Sequence, residues 1–474
     1  MPLSDFYGRE WELRLLQSEL DDLVGDIQTA ARGRCLLLRG RRRVGKSRLT
    51  QAFCSGSKVP YAFFAATGAG LLEDLAEFHA AVGKSSLPDA RTMALAQPTS
   101  WLNSLEILSN LLPDDRPTIL VMDEVPFVMR EDQSFEGALQ LIWDRSLEAK
   151  PLLLILVGSD ISMMERLNDS RRPFHRRGKN MFIQPLNPAE VAAMVGLEGA
   201  DALDAYLITG GMPLICRDWR RGEPLSSFLQ RSLVNPISAL CGFGQETVGG
   251  EYPAERNTSR VLRHIGSGER TLSNISHSMS DVSQMTILRA LEALTRRGAV
   301  TADLPLSTKA SRDRRYRIAD SYLLFWLQFV ERNLTMIERG LGEVVLAGIT
   351  AGLSTWRGTA IEPVVREAIL RRAQVDGLPQ PNLVGSYWTR SNDIQIDIIG
   401  ADKGPIAKSI LFAGSIKWME RKPFKGSHAY ELRKAVMQLT ETELPLVGVS
   451  RSGFDDVVRL DVKLGPEEIL EAFA

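Results

Sequence analysis

Cysteine is scarce: four residues in 474 (Cys35, Cys54, Cys216 and Cys241), with no Cys-x-x-Cys pair and no histidine at zinc spacing. That argues against a cysteine-held metal and a disulfide-stapled scaffold, and reads as reduced, buried thiols in a cytoplasmic protein. Long apolar runs are missing too. The longest aliphatic run in the first half, Leu152 to Val157, covers six residues, against the ~20 that span a bilayer, so no membrane association is expected. Met1-Pro2-Leu3-Ser4-Asp5 has neither a basic n-region nor an apolar h-region, so it does not read as a signal peptide. Nor is one charge in excess. The 57 Lys and Arg stand against 58 Asp and Glu, a net of −1, so any surface for nucleic acid must be local. What remains is ordinary globular material, 44% apolar and 24% charged, long enough for about three domains at ~150 residues each.

Apolar strand-like runs alternate with helical patterns up to about residue 220, which is how a parallel α/β sheet reads. The strand candidates are Cys35–Arg39, Tyr61–Ala65, Thr118–Met122 and Leu152–Val157. Glu10–Ala30, Ser47–Phe53, Leu71–Ala81, Ser100–Leu112 and Phe135–Glu148 are the helix candidates. After residue 220 the alternation stops. Arg221–Glu255 reads as a helical lid and linker, then three helices and two short strands run to Asp320. A third unit follows, with strands near Leu383–Tyr387, Ile394–Ile399, Ser409–Ile416 and Leu446–Ser450. The expected division is 1–220, 221–330 and 331–474.

Gly40-Arg41-Arg42-Arg43-Val44-Gly45-Lys46-Ser47 fits G-x-x-x-x-G-K-[ST] in full, after an apolar strand and at the opening of a helix. Glycines let backbone N–H groups turn onto phosphate oxygens, and the helix N-terminus adds positive potential. Lys46 would reach the β- and γ-phosphates of ATP, and Ser47 would offer its hydroxyl to Mg²⁺. The strand Thr118–Met122 ends in Asp123-Glu124, the acidic partner such a loop requires. Asp123 would hold hydrated Mg²⁺ and Glu124 would polarise the attacking water. A third apolar strand ends in Gly158-Ser159-Asp160, where Ser159 is either a polar sensor beside the γ-phosphate or a helix N-cap. Arg171 to Lys179 is the densest basic stretch. Arg176 and Arg177 are candidates for an arginine finger, in cis or from a second copy in a homo-oligomer, against the alternative of a solvated loop.

These motifs, with Phe6-Tyr7-Gly8-Arg9-Glu10 ahead of the first helix, Asp123-Glu124-Val125-Pro126 and Thr209-Gly210-Gly211-Met212-Pro213, occur in an order that resembles the prokaryotic archaeal-type P-loop ATPase family. That family is AAA+/STAND-related and carries a C-terminal domain of formerly unknown function. The resemblance extends through Tyr316–Tyr322 to Gly414-Ser415-Ile416-Lys417-Trp418. It implies an α/β, AAA+-like P-loop ATPase domain with a helical lid, then a winged helix-turn-helix, then an α/β restriction-endonuclease-like domain. It also places Gly8 and Arg9 near the adenine and sets Gly210–Pro213 to close the lid over the nucleotide.

Residues 256–320 carry twelve Lys and Arg against six acids, a local excess in a near-neutral chain. In a winged helix, the third helix enters the major groove and the wing touches phosphates. Arg289 would then meet double-stranded DNA from the helix, and Arg312, Arg314 and Arg315 from the wing; the alternative is a packing module. In the last unit Glu362, Asp397 and Lys417 follow the order of the PD-(D/E)XK nuclease core, which they resemble. Ser415 stands where the second metal-binding glutamate is expected, so the site reads as degenerate. The expected function is ATP binding and Mg²⁺-dependent hydrolysis as a switch or regulator. An ATP-gated DNA nuclease and a non-hydrolysing nucleotide-dependent scaffold are the alternatives.

Overall fold

The computed structural model describes residues 6–26, 33–250, 256–268 and 270–474. The N-terminal pentapeptide, the end of the first helix expected to reach Ala30, and 251–255 of the linker lie outside the described residues. The chain forms two compact units, Met1–Pro185 and Leu186–Ala474. The lid helices, grouped with the ATPase domain by the sequence, fall in the second.

The first unit is built on five parallel strands: β1 (Arg34–Arg39), β2 (Tyr61–Ala65), β3 (Thr118–Asp123), β4 (Leu152–Gly158) and β5 (Gly178–Phe182). Their order is β2-β3-β4-β1-β5. Every residue of β3 and β4 is buried, as unbroken Leu/Ile/Val runs require when helices cover both faces. Successive side chains point to opposite faces. Leu36, Leu38, Ile119, Val121, Leu153 and Ile155 thus share one core with Leu16, Leu20 and Leu49. Leu37, Leu120, Met122, Leu154 and Leu156 share the other with Phe78, Trp101 and Phe135. This is the expected P-loop α/β fold, with β4 between the two strands that carry the phosphate loop and the acids. β5 is the strand the sequence reading lacks. It is an edge strand reading GKNMF, half exposed, so no apolar run marks it.

The second unit opens with the helices Pro188–Val195, Gly199–Thr209 and Pro213–Asp218. Gly210 and Gly211 both have positive φ, and a Cβ on Gly211 would meet the Leu186 carbonyl oxygen at 2.0 Å, so this turn is closed to other residues. Three helices follow (Arg256–Gly266, Leu272–Ser278 and Gln284–Arg296), then an antiparallel hairpin of β6 (Val300–Asp303) and β7 (Arg315–Ile318). Ile287, Ala290, Leu291 and Leu294 bury the inner face of the third helix. A five-stranded sheet completes the unit: β8 (Leu383–Trp388), β9 (Gln395–Ala401), β10 (Ile410–Lys417), β11 (Leu446–Ser450) and β12 (Val462–Leu464), in order β12-β11-β10-β9-β8. β8, β9 and β10 pair antiparallel, β10, β11 and β12 parallel. No helix among the described residues is long and apolar enough to cross a membrane.

Candidate functional site

β1 ends at Arg39 and the helix Lys46–Ser57 begins seven residues later. Between them the chain turns through positive φ at Arg43 (61°) and at Gly45 (96°). Gly40 presses against β5: a Cβ there would lie 2.5 Å from the Ile183 carbonyl oxygen. Lys46 is buried, and its Nζ donates to the Gly40 (2.9 Å) and Arg41 (2.8 Å) carbonyls. The ammonium is therefore parked on the loop it would leave to grip phosphate. Val44 is fully buried, Arg41 half-buried, and Arg42 and Arg43 exposed.

Arg9 has a structural task at this loop. It is 3% exposed, paired with Glu12 at 2.7 Å, and donates through Nη2 to the Val44 carbonyl at 2.9 Å. Gly8 and Arg9 both have positive φ, so this turn aims the guanidinium at the back of the phosphate loop. A buried, charge-assisted bond of this kind fixes a loop more firmly than a neutral one.

The acids sit at the end of β3. Asp123 is buried, and burial raises its carboxyl above the usual carboxylate range. A hydrogen bond from the Ser47 hydroxyl and one from the Glu124 N–H (2.9 Å) pull it back, while the Glu124 charge pushes it further up. Ser47 and Asp123 are thus already in contact, the two side chains that suit a hydrated Mg²⁺. Glu124 is left-handed at φ 54°. Of the two readings of Ser159, the helix cap falls: Asp160, not Ser159, caps the helix Ile161–Leu167. The Ser159 hydroxyl lies 3.0 and 2.9 Å from the two Glu124 carboxylate oxygens, so it orients that acid.

The two finger candidates differ. Arg177 forms a bidentate pair with Asp144 at 2.6 and 2.7 Å, and donates to the Pro173 and His175 carbonyls. Each partner shifts the other toward its charged form, chiefly through that hydrogen bond. Arg176 is exposed, and its backbone N–H is held by Asn168 at 3.0 Å. One arginine is committed to the fold and the other is presented.

In the second unit the structure brings Glu362 and Asp397 together, and among the described residues Lys417 makes no ion pair with either. Glu362 is raised above the usual range by burial and by the Asp397 charge, with Arg366 and Arg270 opposing. Arg366 pairs with Glu362 at 2.7 Å and donates to the Asp397 carbonyl at 2.8 Å. Asp397 accepts from the Ser415 hydroxyl (3.0 Å) and the Ile416 N–H (2.9 Å). Lys417 acts electrostatically on His428, helping to lower its pKa after burial, the larger cause. Arg366 is the residue the sequence reading missed; its i,i+4 spacing from Glu362 on one helix was the available signal. Among the described residues no group of three or more His, Cys, Asp or Glu is placed to hold a metal.

The DNA candidates also divide. Arg289, Arg312 and Arg314 are exposed. Arg315 is not: its guanidinium lies 4.4 Å from the Trp388 ring and bonds Asn392. Burial and nearby Arg270 depress its pKa, with Glu362 opposing.

Residues 326–429, which hold Glu362, Asp397, Ser415 and Lys417, match a family described as archaeal and bacterial proteins of unknown function, DUF234. The match agrees with the archaeal-type family that the motifs resemble. Across 426 residues the chain is 24% identical to an uncharacterized protein of Methanocaldococcus jannaschii, covering 88% of both. Among solved structures, the Walker-type ATPase of Pyrococcus abyssi is 19% identical at a TM-score of 0.49, covering 68% of this chain and 96% of that one. The ORC2 protein of Aeropyrum pernix is 13% identical at 0.43, covering 73% and 96%. Both segments that flank the DUF234 match, the hairpin β6–β7 and the strands β11 and β12, pack in one unit with it.

Proposed function

We propose that this chain is a cytoplasmic, ATP-binding switch that hydrolyses ATP with Mg²⁺ and acts on duplex DNA. One observation carries the reading: Lys46, Ser47, Asp123 and Glu124 come from two strand ends of one sheet, with the Ser47 hydroxyl already on Asp123 and Ser159 on Glu124. Ser47 and Asp123 would hold Mg²⁺, which when bound neutralises phosphate charge. Lys46 exchanges the Gly40 and Arg41 carbonyls for phosphate oxygens. Glu124, held by Ser159, takes a proton from the attacking water. Arg176, exposed on its loop, supplies guanidinium charge to a second copy of the chain in a homo-oligomer.

The three helices with hairpin β6–β7 form the winged helix-turn-helix, and Arg289 presents the third helix to DNA. We read the DUF234 domain as a nuclease-like fold without cleavage. Ser415 supplies no carboxylate, and the Arg366 guanidinium bridges Glu362 and the Asp397 carbonyl, so a fixed cation serves where a divalent one would need more anionic oxygens.

Turnover and binding measured side by side test the reading. Lys46→Ala should abolish binding of a fluorescent ATP analogue. Glu124→Gln should keep binding and lose about 10²- to 10⁴-fold in turnover, the usual worth of a general base. Wild-type turnover by Glu124→Gln would remove Glu124 from this role.

A further inference from the structure

In a free winged helix the loop between the two strands projects into solvent. Here that loop, residues 304–314, is built into the DUF234 sheet. At one end Leu306 is buried with Ile396, Ile399 and Ala413. Its N–H donates to the Ser386 carbonyl at 2.8 Å, and the Ala407 N–H donates to the Ser307 carbonyl at 2.8 Å. At the other end the Trp388 indole N–H donates to the Asp313 carbonyl at 3.1 Å, and Arg315 lies over the Trp388 ring. Burying an apolar side chain and pairing backbone groups at both ends costs the loop its freedom, and leaves it one position.

That position sets basic side chains from two domains along one edge. Lys309, Arg312 and Arg314 of the wing are exposed. Lys408, next to the residue bonded to Ser307, and Arg390, two residues beyond Trp388, are exposed as well. The nearby acids are occupied by their own turns. Asp393 accepts from the Ser391 hydroxyl at 2.6 Å, Asp402 from the N–H groups of Lys408 and Ser409 at 3.0 and 3.1 Å, and Asp313 from the Ser311 hydroxyl at 3.2 Å. Five cations therefore stand beside three carboxylates held by neutral donors, an excess of two positive charges. Arg315, by contrast, is the rivet of the seam.

We propose that this seam is a phosphate track for duplex DNA, shared by Arg312 and Arg314 of the wing and by Arg390 and Lys408 of the DUF234 domain. It rests on the DNA-associated reading above and adds a domain to it: the DUF234 sheet holds the backbone that the wing alone would contact in a simpler module. A phosphate on the track meets guanidinium and ammonium groups with no competing ion pair on Arg312, Arg314 or Arg390 among the described residues. Preformed positioning of this kind reduces the ordering cost of binding.

The test is the salt dependence of binding to a labelled 30-base-pair duplex by fluorescence anisotropy, on the full chain. Each phosphate contact contributes about −0.9 to the log–log slope. The Arg390→Ala, Lys408→Ala double variant should flatten the slope by about 1.8, with an unchanged melting temperature. Arg390→Lys with Lys408→Arg should restore it, because charge rather than shape is used. A wild-type chain that binds duplex while the double alanine variant keeps its full slope overturns the seam and leaves the winged-helix reading standing. A wild-type chain with no salt-dependent duplex binding overturns both.

Discussion

Replacing Ser159 by alanine separates a residue that acts on the nucleotide from one that acts through Glu124. The Ser159 hydroxyl sits 2.9–3.0 Å from both Glu124 oxygens. A hydrogen bond to a charged group contributes about 1.5–3 kcal/mol net. If that bond serves to hold the carboxylate where water is activated, its loss lowers kcat about 10- to 150-fold, at 1.36 kcal/mol per decade. KM for ATP should stay the same, because the Ser159 hydroxyl is engaged by the Glu124 carboxylate. The decisive measurement is a double-mutant cycle in steady-state phosphate release. On the Glu124→Gln background, Ser159→Ala should cost almost nothing, since the group it orients is already disabled. A loss of the same size on both backgrounds, or a raised KM with kcat intact, would refute the positioning role and return Ser159 to the γ-phosphate.

Asp123→Asn should raise the melting temperature of the nucleotide-free protein while removing Mg²⁺-dependent turnover. Burial, then Glu124, raises the Asp123 pKa, so its contribution to stability is present below the ordinary carboxylate pKa and is lost as pH rises through the raised value. At neutral pH the neutral amide removes that cost, and calorimetry at pH 7 and pH 4 should show the gain at pH 7 only. Arg177→Ala should lower the melting temperature by unlinking Asp144, at about 1 kcal/mol for a partly exposed pair. Arg176→Ala should instead lower turnover in a manner that depends on protein concentration, with the melting temperature fixed. The wild-type chain should leave plasmid and linear DNA intact with Mg²⁺ or Mn²⁺, measured on gels. Cleavage abolished by Asp397→Ala would promote the ATP-gated nuclease.

The ATPase half was legible because its signals are local. A phosphate loop needs glycine and lysine at fixed spacing, and its acids must end a buried strand, so Gly40–Ser47 and Asp123-Glu124 announced both the sheet and the site. Leu152–Val157 gave β4 for the same reason: a strand covered on both faces has no polar positions. β5 and β12 gave no such sign. One is a half-exposed edge strand and the other has three residues, and a short edge needs no apolar pattern. The order Glu362, Asp397, Lys417 was visible too, but proximity is a property of three dimensions. Only the fold shows that Arg366 and Ser415 close on the first two. Arg315 is the sharpest case. By composition it is one basic residue among twelve in its segment, and nothing in that count tells a solvent-facing arginine from one stacked on the tryptophan of another domain.

The second unit contains a buried charge cluster. Asp204, on the lid helix Gly199–Thr209, is 2% exposed and is held by Arg357 and by Arg451, the latter at 3.0 and 3.1 Å. Arg357 is itself buried and also pairs with Glu420, just past β10. Arg451 follows β11 and donates to the Ala200 carbonyl at 3.2 Å. Burial alone would raise the Asp204 carboxyl, and the two guanidiniums oppose that. A buried carboxylate with two cations is poor glue in absolute terms, since desolvation offsets most of the attraction. Removing one member, however, costs about 3–5 kcal/mol, because it strands a charge in the interior. Helix Gly199–Thr209 and the strands β10 and β11 that end beside it are therefore held to one another. The Leu306 and Trp388 contacts lock the wing to the opposite edge of the same sheet. Helix Gly199–Thr209, the five-stranded sheet and the hairpin β6–β7 are thus tied to one another within the second unit.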